Sequence, residues 1–197
     1  MSLTLRLDLL RHGETELGGG FRGRLDDALT ANGWVQLRAA CTPLRPWQVL
    51  VSSPLQRCAA FGEELATATG LPLHIEADLR ELDFGEWEGR SAAELMDTDS
   101  DALTRFWDDP YRYGPPGGEP LAAFEARARA ALDRLLQQHA GQHVLVVTHG
   151  GVMRLLGALA DGLPAQQLMQ VGVSHGQCFE LQLSGAPGDW QLQRRER

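Results

Sequence analysis

The sequence predicts a three-layer α/β/α sandwich: a mostly parallel central sheet, helices on both faces, and a small helical and loop insertion over its carboxyl edge. Three observations carry this prediction. Short apolar runs alternate with longer segments of helical periodicity, the pattern of a sheet whose parallel strands are joined by helices. Two of those runs, Leu5–Leu10 and Val144–Val147, end in the same way, as Arg11-His12-Gly13-Glu14-Thr15 and Thr148-His149-Gly150-Gly151. Finally, 197 residues at 43% hydrophobic and 22% charged content suit one domain, 1–197, with a substantial core.

The elements follow in order. Leu3–Leu10 is the first strand. Thr30 caps a helix running to about Cys41. Val49–Ser52 is the next strand. Ser53, with Pro54 at the first helical position, starts a helix to Thr69, which Gly70 ends. Leu73–Ile75 is a short strand. Residues from about 91 to 118 break the alternation: first acidic, then aromatic (Trp107-Asp108-Asp109-Pro110-Tyr111), then Gly114-Pro115-Pro116-Gly117-Gly118. They are the expected insertion. Pro120 opens the longest helix, with Leu121, Phe124, Ala128, Leu132 and Leu135 on one face, ending near Gln138. His143–Thr148 is a strand, Gly151–Leu159 a short apolar helix, and Cys178–Ser184 and Trp190–Gln193 the last strands.

Bulk properties exclude several functions. A net charge of −8 argues against a general nucleic-acid binder. No run is long enough to span a membrane, and the N-terminus lacks a basic region followed by a long apolar core, so a cytoplasmic location is expected. Three scattered cysteines, Cys41, Cys58 and Cys178, fit reduced thiols rather than disulfides or a zinc site. The oligomeric state is left open, with a homodimer among the allowed assemblies. Some patterns are decoys. Gly18-Gly19-Gly20-Phe21-Arg22-Gly23 matches a dinucleotide fingerprint but neither follows a strand directly nor opens a helix, and Arg24 and Leu25 replace the lysine and hydroxyl of a P-loop. Asp97-x-Asp99-x-Asp101 lacks the turn glycine of a calcium loop, where Ala102 stands.

The remaining residues carry chemistry. Ligands bind at the carboxyl ends of strands in an open parallel sheet, so two strand-end histidines are candidates for one site. A histidine that attacks phosphorus must be neutral, exposed at a strand end and held in one tautomer; His12 meets the positional requirement. The negative charge of a transferring phosphoryl group needs fixed cations. Arg11 adjoins His12. Arg57 lies in the first turn of the second helix, and helical side chains lean towards the N-terminus, hence towards the carboxyl edge. His149 sits at the second strand end, and the Gly150 N–H opens a helix whose N-terminus favours an anion. Glu81, in Leu79-Arg80-Glu81-Leu82-Asp83-Phe84-Gly85, could protonate a leaving alkoxide and then activate water. Singly, each of these residues is more often structural than functional; together they converge without a metal or cofactor. His74, His139 and His143 lack such company and read as structural.

In these blocks the chain resembles the histidine phosphatase (phosphoglycerate mutase-like) superfamily. Arg11–Thr15, Ser52-Ser53-Pro54-Leu55-Gln56-Arg57, Glu81 continuing to Glu86-Trp87-Glu88-Gly89, and Thr148–Gly151 match in order over essentially the whole chain. The resemblance implies an α/β/α sandwich, a phosphohistidine at His12, a phosphate site of Arg11, His12, Arg57, His149 and Gly150, and Glu81 as proton donor. Within the superfamily the chain is most similar to the α-ribazole phosphatases of cobalamin biosynthesis, on Leu82–Arg90, Phe106-Trp107-x-x-Pro110 and Pro115-Pro116-Gly117-Gly118-Glu119. The expected pocket draws on Thr15, Phe21, Arg22, Trp107, Tyr111, Glu119 and His175, with Tyr113 a further aromatic, and the expected partner is a small phosphomonoester. Gly18 stands where the family often has asparagine. Gly20 stands where an arginine often precedes the aromatic, and Arg22 is the candidate to replace it. These departures weigh against a phosphoglycerate mutase, which needs extra cations for a second phosphate. A broad-specificity phosphatase is the nearest competing activity. A non-catalytic phosphate-binding module is a more distant one, since a binder need not keep Glu81.

Overall fold

The computed structural model describes residues 2–195. Among these residues, six strands form one mixed sheet flanked by helices. They are β1 (Leu3–Arg11), β2 (Val49–Ser52), β3 (Leu73–Ile75), β4 (His143–Thr148), β5 (Cys178–Ala186) and β6 (Asp189–Arg194), in the order β3-β2-β4-β1-β5-β6. β3, β2, β4 and β1 are mutually parallel. β5 and β6 are antiparallel additions beside β1. The sequence expectation of a mostly parallel sheet therefore applies to four strands. The last pair turns back through Pro187-Gly188, with Gly188 at φ +79°, a connection far too short for a parallel crossover.

The helices are α1 (Ala31–Ala40), α2 (Gln56–Thr69), α3 (Ala92–Thr98), α4 (Ser100–Asp108), α5 (Leu121–His139) and α6 (Gly150–Ala160). Thr30 caps α1, its hydroxyl accepting from Gly33 N at 2.9 Å. Gly70 ends α2 in the left-handed conformation. α2 starts later than Ser53-Pro54 because Leu55 is extended and Ser53 is engaged elsewhere, as described below. The insertion forms two short helices. A Ser91–Glu94 capping box starts α3, and Asp99 both ends it and leads into α4, while accepting from Trp87 Nε1.

Strand alternation sorts the core onto two faces. Leu5, Leu7, Leu9, Val49, Val51, Val144 and Val146 face the layer containing Phe124, Leu132 and Leu155 of α5 and α6. Leu10, Leu50, Leu145 and Val147 face Leu37, Phe61 and Leu65 of α1 and α2. The insertion joins the first face through Leu95, Leu103 and Phe106, which brings it over the carboxyl edge of the parallel strands. No described helix is long and apolar enough to cross a membrane. The three cysteines are free thiols.

Candidate active site

Strand pairing brings the two histidines together. β1 and β4 are neighbours with Arg11 opposite Thr148, so His12 and His149 leave the sheet at the same level. His12 N donates to Thr148 O at 2.9 Å, and the ring centroids are 5.4 Å apart. His12 is 7% exposed. Its Nδ1 is 2.7 Å from Gly13 O, a contact that requires the proton on Nδ1 and leaves the Nε2 lone pair unprotonated. The turn after His12 presses on α1: a Cβ on Gly13 would lie 2.2 Å from Gly33 O, so only glycine fits this approach.

His149 is fully buried. Its Nε2 shares a 2.7 Å hydrogen bond with Ser53 Oγ. The Cys58 thiol donates to Thr148 O at 3.4 Å and lies 3.6 Å from His149 Nε2. Burial pushes both histidines well below the ordinary histidine value, and the Arg57 guanidinium adds to the effect. Both are therefore neutral near pH 7, as a histidine nucleophile must be. His175 is also lowered, chiefly by burial and then by Arg11.

Arg57 is completely buried and fixed by the loop before α1. Its Nη1 donates to Leu25 O at 2.6 Å, and its Nη2 to Gly23 O at 3.1 Å and Arg22 O at 3.3 Å. The amides of that loop go to one carboxylate: Glu88 accepts from Gly23 N, Arg24 N and Leu25 N at 2.8–2.9 Å. Loop carbonyls thus hold a cation while loop amides hold an anion. Arg11 donates from Nη1 to Val173 O at 2.7 Å, and burial lowers its pKa from the ordinary value. Arg11 Nε and Arg57 Nε are buried donors with no acceptor among the described residues.

Glu81 reaches across to the start of α6. Its Oε2 accepts from Gly151 N and its Oε1 from Leu82 N, both at 3.0 Å. A Cβ on Gly151 would stand 2.2 Å from Glu81 Oε1, so this glycine is what admits the carboxylate.

Arg11, His12, Glu81 and Gly150 line a cavity of about 410 Å³, together with Thr15, Phe21, Arg22, Trp107 and His175. Arg57 and His149, both fully buried, are not among its lining residues. Phe21 packs on Phe84 at 4.9 Å, and Phe106, Leu121 and Phe124 extend the apolar side. Arg22 is paired with Asp27 at 3.0 Å. Tyr111 and Glu119 do not line the cavity. The Tyr111 hydroxyl is bound to Glu125 on α5, which draws the ring to the outer surface. Glu119 is taken by Arg127 in a two-pronged ion pair at 2.7 and 2.9 Å. Tyr113 sits under Arg112 and is likewise outside.

Sequence reasoning missed Arg154, Glu88 and Arg127. Arg154 lines the cavity, donates from Nε to Val171 O at 3.2 Å and makes no ion pair among the described residues. Its spacing of four from Gly150 puts it on the same helix face, a signal present in the sequence. Glu88 and Arg127 act on backbone groups, which no side-chain pattern announces.

The buried neutral histidines make stability depend on pH with a definite sign. In the unfolded chain each titrates near 6.5, and in the folded state lower. The unfolded state thus binds more protons below pH 6.5, so the contribution is complete above that value and is lost as the pH falls through it. The expected slope is up to about 1.4 kcal/mol per pH unit per histidine. Urea unfolding of the wild type and His149→Asn at about pH 7.5 and about pH 5 measures it; an equal pH slope in the two proteins would contradict the neutral assignment.

A family profile described as "Histidine phosphatase superfamily (branch 1)" matches residues 7–196. The adenosylcobalamin/alpha-ribazole phosphatase of Escherichia coli (strain K12) is 32% identical over 176 residues, 87% of each chain. The glucosyl-3-phosphoglycerate phosphatase of Mycobacterium tuberculosis is 32% identical over 197 residues, covering 93% of this chain and 87% of that one. The native structure of mycobacterial glucosyl-3-phosphoglycerate phosphatase superposes with a TM-score of 0.80 at 28% identity, covering 98% of each chain.

Proposed function

The chain belongs to the histidine phosphatase superfamily and is a phosphatase of that superfamily, and on that premise we propose that it hydrolyses a small phosphomonoester through a phosphohistidine on His12. The observation that carries this reading is the Nδ1–H to Gly13 O hydrogen bond, which presents the Nε2 lone pair of a neutral imidazole at the cavity floor. Nε2 attacks phosphorus in line, and the P–O ester bond breaks. Glu81 gives its proton to the leaving oxygen. Water then attacks the phosphohistidine, passing its proton to Glu81, and the N–P bond breaks to release phosphate. Arg11, Arg57, His149 and the Gly150 N–H stabilise the transferring group. The buried Nε donor of Arg11, which lines the cavity, supports this assignment, because a buried donor without an acceptor costs stability and an anion would relieve that cost.

The substrate proposed is α-ribazole 5′-phosphate or adenosylcobalamin 5′-phosphate, in assembly of the cobalamin nucleotide loop. Phe21, Phe84, Phe106 and Trp107 offer an apolar aromatic side for a planar base, and the Escherichia coli relative carries that substrate in its name. A second reading, a phosphomonoester bearing a carboxylate near the ester, is favoured by Arg154, which lines the cavity without an ion-pair partner among the described residues. The test is kcat/KM measured side by side on α-ribazole 5′-phosphate, glucosyl-3-phosphoglycerate, 3-phosphoglycerate and 4-nitrophenyl phosphate. The expected result is a preference for α-ribazole 5′-phosphate of about tenfold or more, the 1.4 kcal/mol that modest pocket contacts supply. Equal turnover of the aryl phosphate would remove that substrate, and preference for glucosyl-3-phosphoglycerate that disappears in Arg154→Ala would establish the second reading.

A further inference from the structure

Four consecutive carbonyls lead into the proposed acid, and each accepts a hydrogen bond from a side chain of another element. Asp78 O and Arg80 O accept from Arg127 Nη1 at 2.6 and 2.8 Å, and Glu81 O accepts from Arg127 Nη2 at 2.9 Å. Between them, Leu79 O accepts from Thr148 Oγ1 at 2.9 Å. The two remaining contacts of Arg127, from Nε and Nη2, go to Glu119. All five N–H donors of the guanidinium are thus used. Its plane lies against the Phe124 ring, with Cζ 4.7 Å from the centroid, and its side chain is 10% exposed. Glu119 is tied to the same stretch a second time, because Glu119 N donates to Asp83 O at 2.9 Å.

A surface ion pair would not need this arrangement. Arg127 stands on α5, the longest helix, and reads three carbonyls of the stretch that runs from the short 3-10 turn Ala77–Leu79 to Glu81 and takes no part in the sheet. That segment ends at the carboxylate whose two oxygens accept from Leu82 N and Gly151 N. Backbone placement on one side and side-chain placement on the other leave Glu81 one position.

We propose that the Glu119–Arg127 pair is a positioning device for Glu81, setting the height at which its carboxyl meets the leaving oxygen. The inference rests on the reading of Glu81 as proton donor. Arg127 touches neither the cavity nor the reacting atoms, so it acts only through Glu81.

Leaving-group dependence separates positioning from a merely structural role. A 4-nitrophenolate leaves without a proton, whereas an alkoxide does not, so a misplaced acid slows alkyl phosphates selectively. The experiment measures kcat/KM, which reports phosphoryl transfer to His12, on 4-nitrophenyl phosphate and on an alkyl phosphomonoester. It compares the wild type with Arg127→Met, Arg127→Lys, Glu119→Gln and Glu81→Gln, and takes thermal midpoints of all five. Glu81→Gln is expected to lose about 10²-fold or more on the alkyl ester relative to the aryl ester. Arg127→Met is expected to show the same selectivity, at about tenfold or more, with partial rescue in Arg127→Lys. Glu119→Gln keeps the shape of the pair and carries the test should Arg127→Met not fold. Equal losses on both substrates in the Arg127 and Glu119 variants, with selectivity intact in Glu81→Gln, would overturn the positioning role alone. Absence of selectivity in Glu81→Gln itself would overturn the acid assignment, and the positioning role with it.

Discussion

His12→Ala is expected to abolish turnover and, with it, the acid-labile labelling of the protein by substrate phosphate. The expected loss is at least about 10⁴-fold, because removing a nucleophile deletes the covalent route and leaves only binding and electrostatic stabilisation. The geometry makes the result specific to this histidine. His12 lines the cavity with Nδ1 committed to Gly13 O, whereas His149 is fully buried with Nε2 committed to Ser53. His149→Ala should reduce turnover and still allow slow labelling at His12. Rapid-quench labelling with ³²P substrate checks both. Undiminished turnover in His12→Ala would sink the mechanism.

Arg57→Ala is expected to lower kcat/KM by about 10²-fold or more, the loss typical of removing one charge-stabilising donor. The same substitution strips three carbonyls, at Arg22, Gly23 and Leu25, of their buried partner. The Gly23 contact is buried and the other two partly so; a buried acceptor left unpaired costs about 1–3 kcal/mol, so a stability loss of that order is expected alongside. Arg57→Lys keeps the charge but cannot reproduce the fork, and is expected to recover little of either. Kinetics per folded molecule, with the folded fraction taken from urea unfolding, separate the two effects. A stability loss with unchanged kcat/KM would leave Arg57 as a loop anchor alone.

The parts of this protein that are legible in sequence are those written in side-chain periodicity. The apolar runs ending in His12 and His149 mark neighbouring central strands, and Thr30 and Gly70 mark helix ends through cap chemistry that is local. The β5–β6 turn is local too: the gap at Pro187-Gly188 is too short for a parallel crossover, so the antiparallel edge is legible in its length, a signal that the expectation of a mostly parallel sheet passes over. Ser53-Pro54 imitates a helix start because the competing partner of Ser53 lies far along the chain. Tyr111 and Glu119 suggest pocket residues because they lie in the same stretch, 107–119, as Trp107. Their partners on α5, Glu125 and Arg127, pull them to other faces. The roles of Glu88 and Arg127 are invisible because the contacts that give them those roles are to peptide groups, which every residue carries.

The pairing of Arg11 with Thr148 has a further consequence, for folding. The two histidines lie far apart in the chain and meet only across that parallel pairing, the kind of non-local contact that forms slowly. No early hairpin or isolated helix can bring them together. On the proposed mechanism catalytic competence arrives with the completed centre of the sheet, so recovery of phosphatase activity during refolding is expected to time the closure of β1 onto β4.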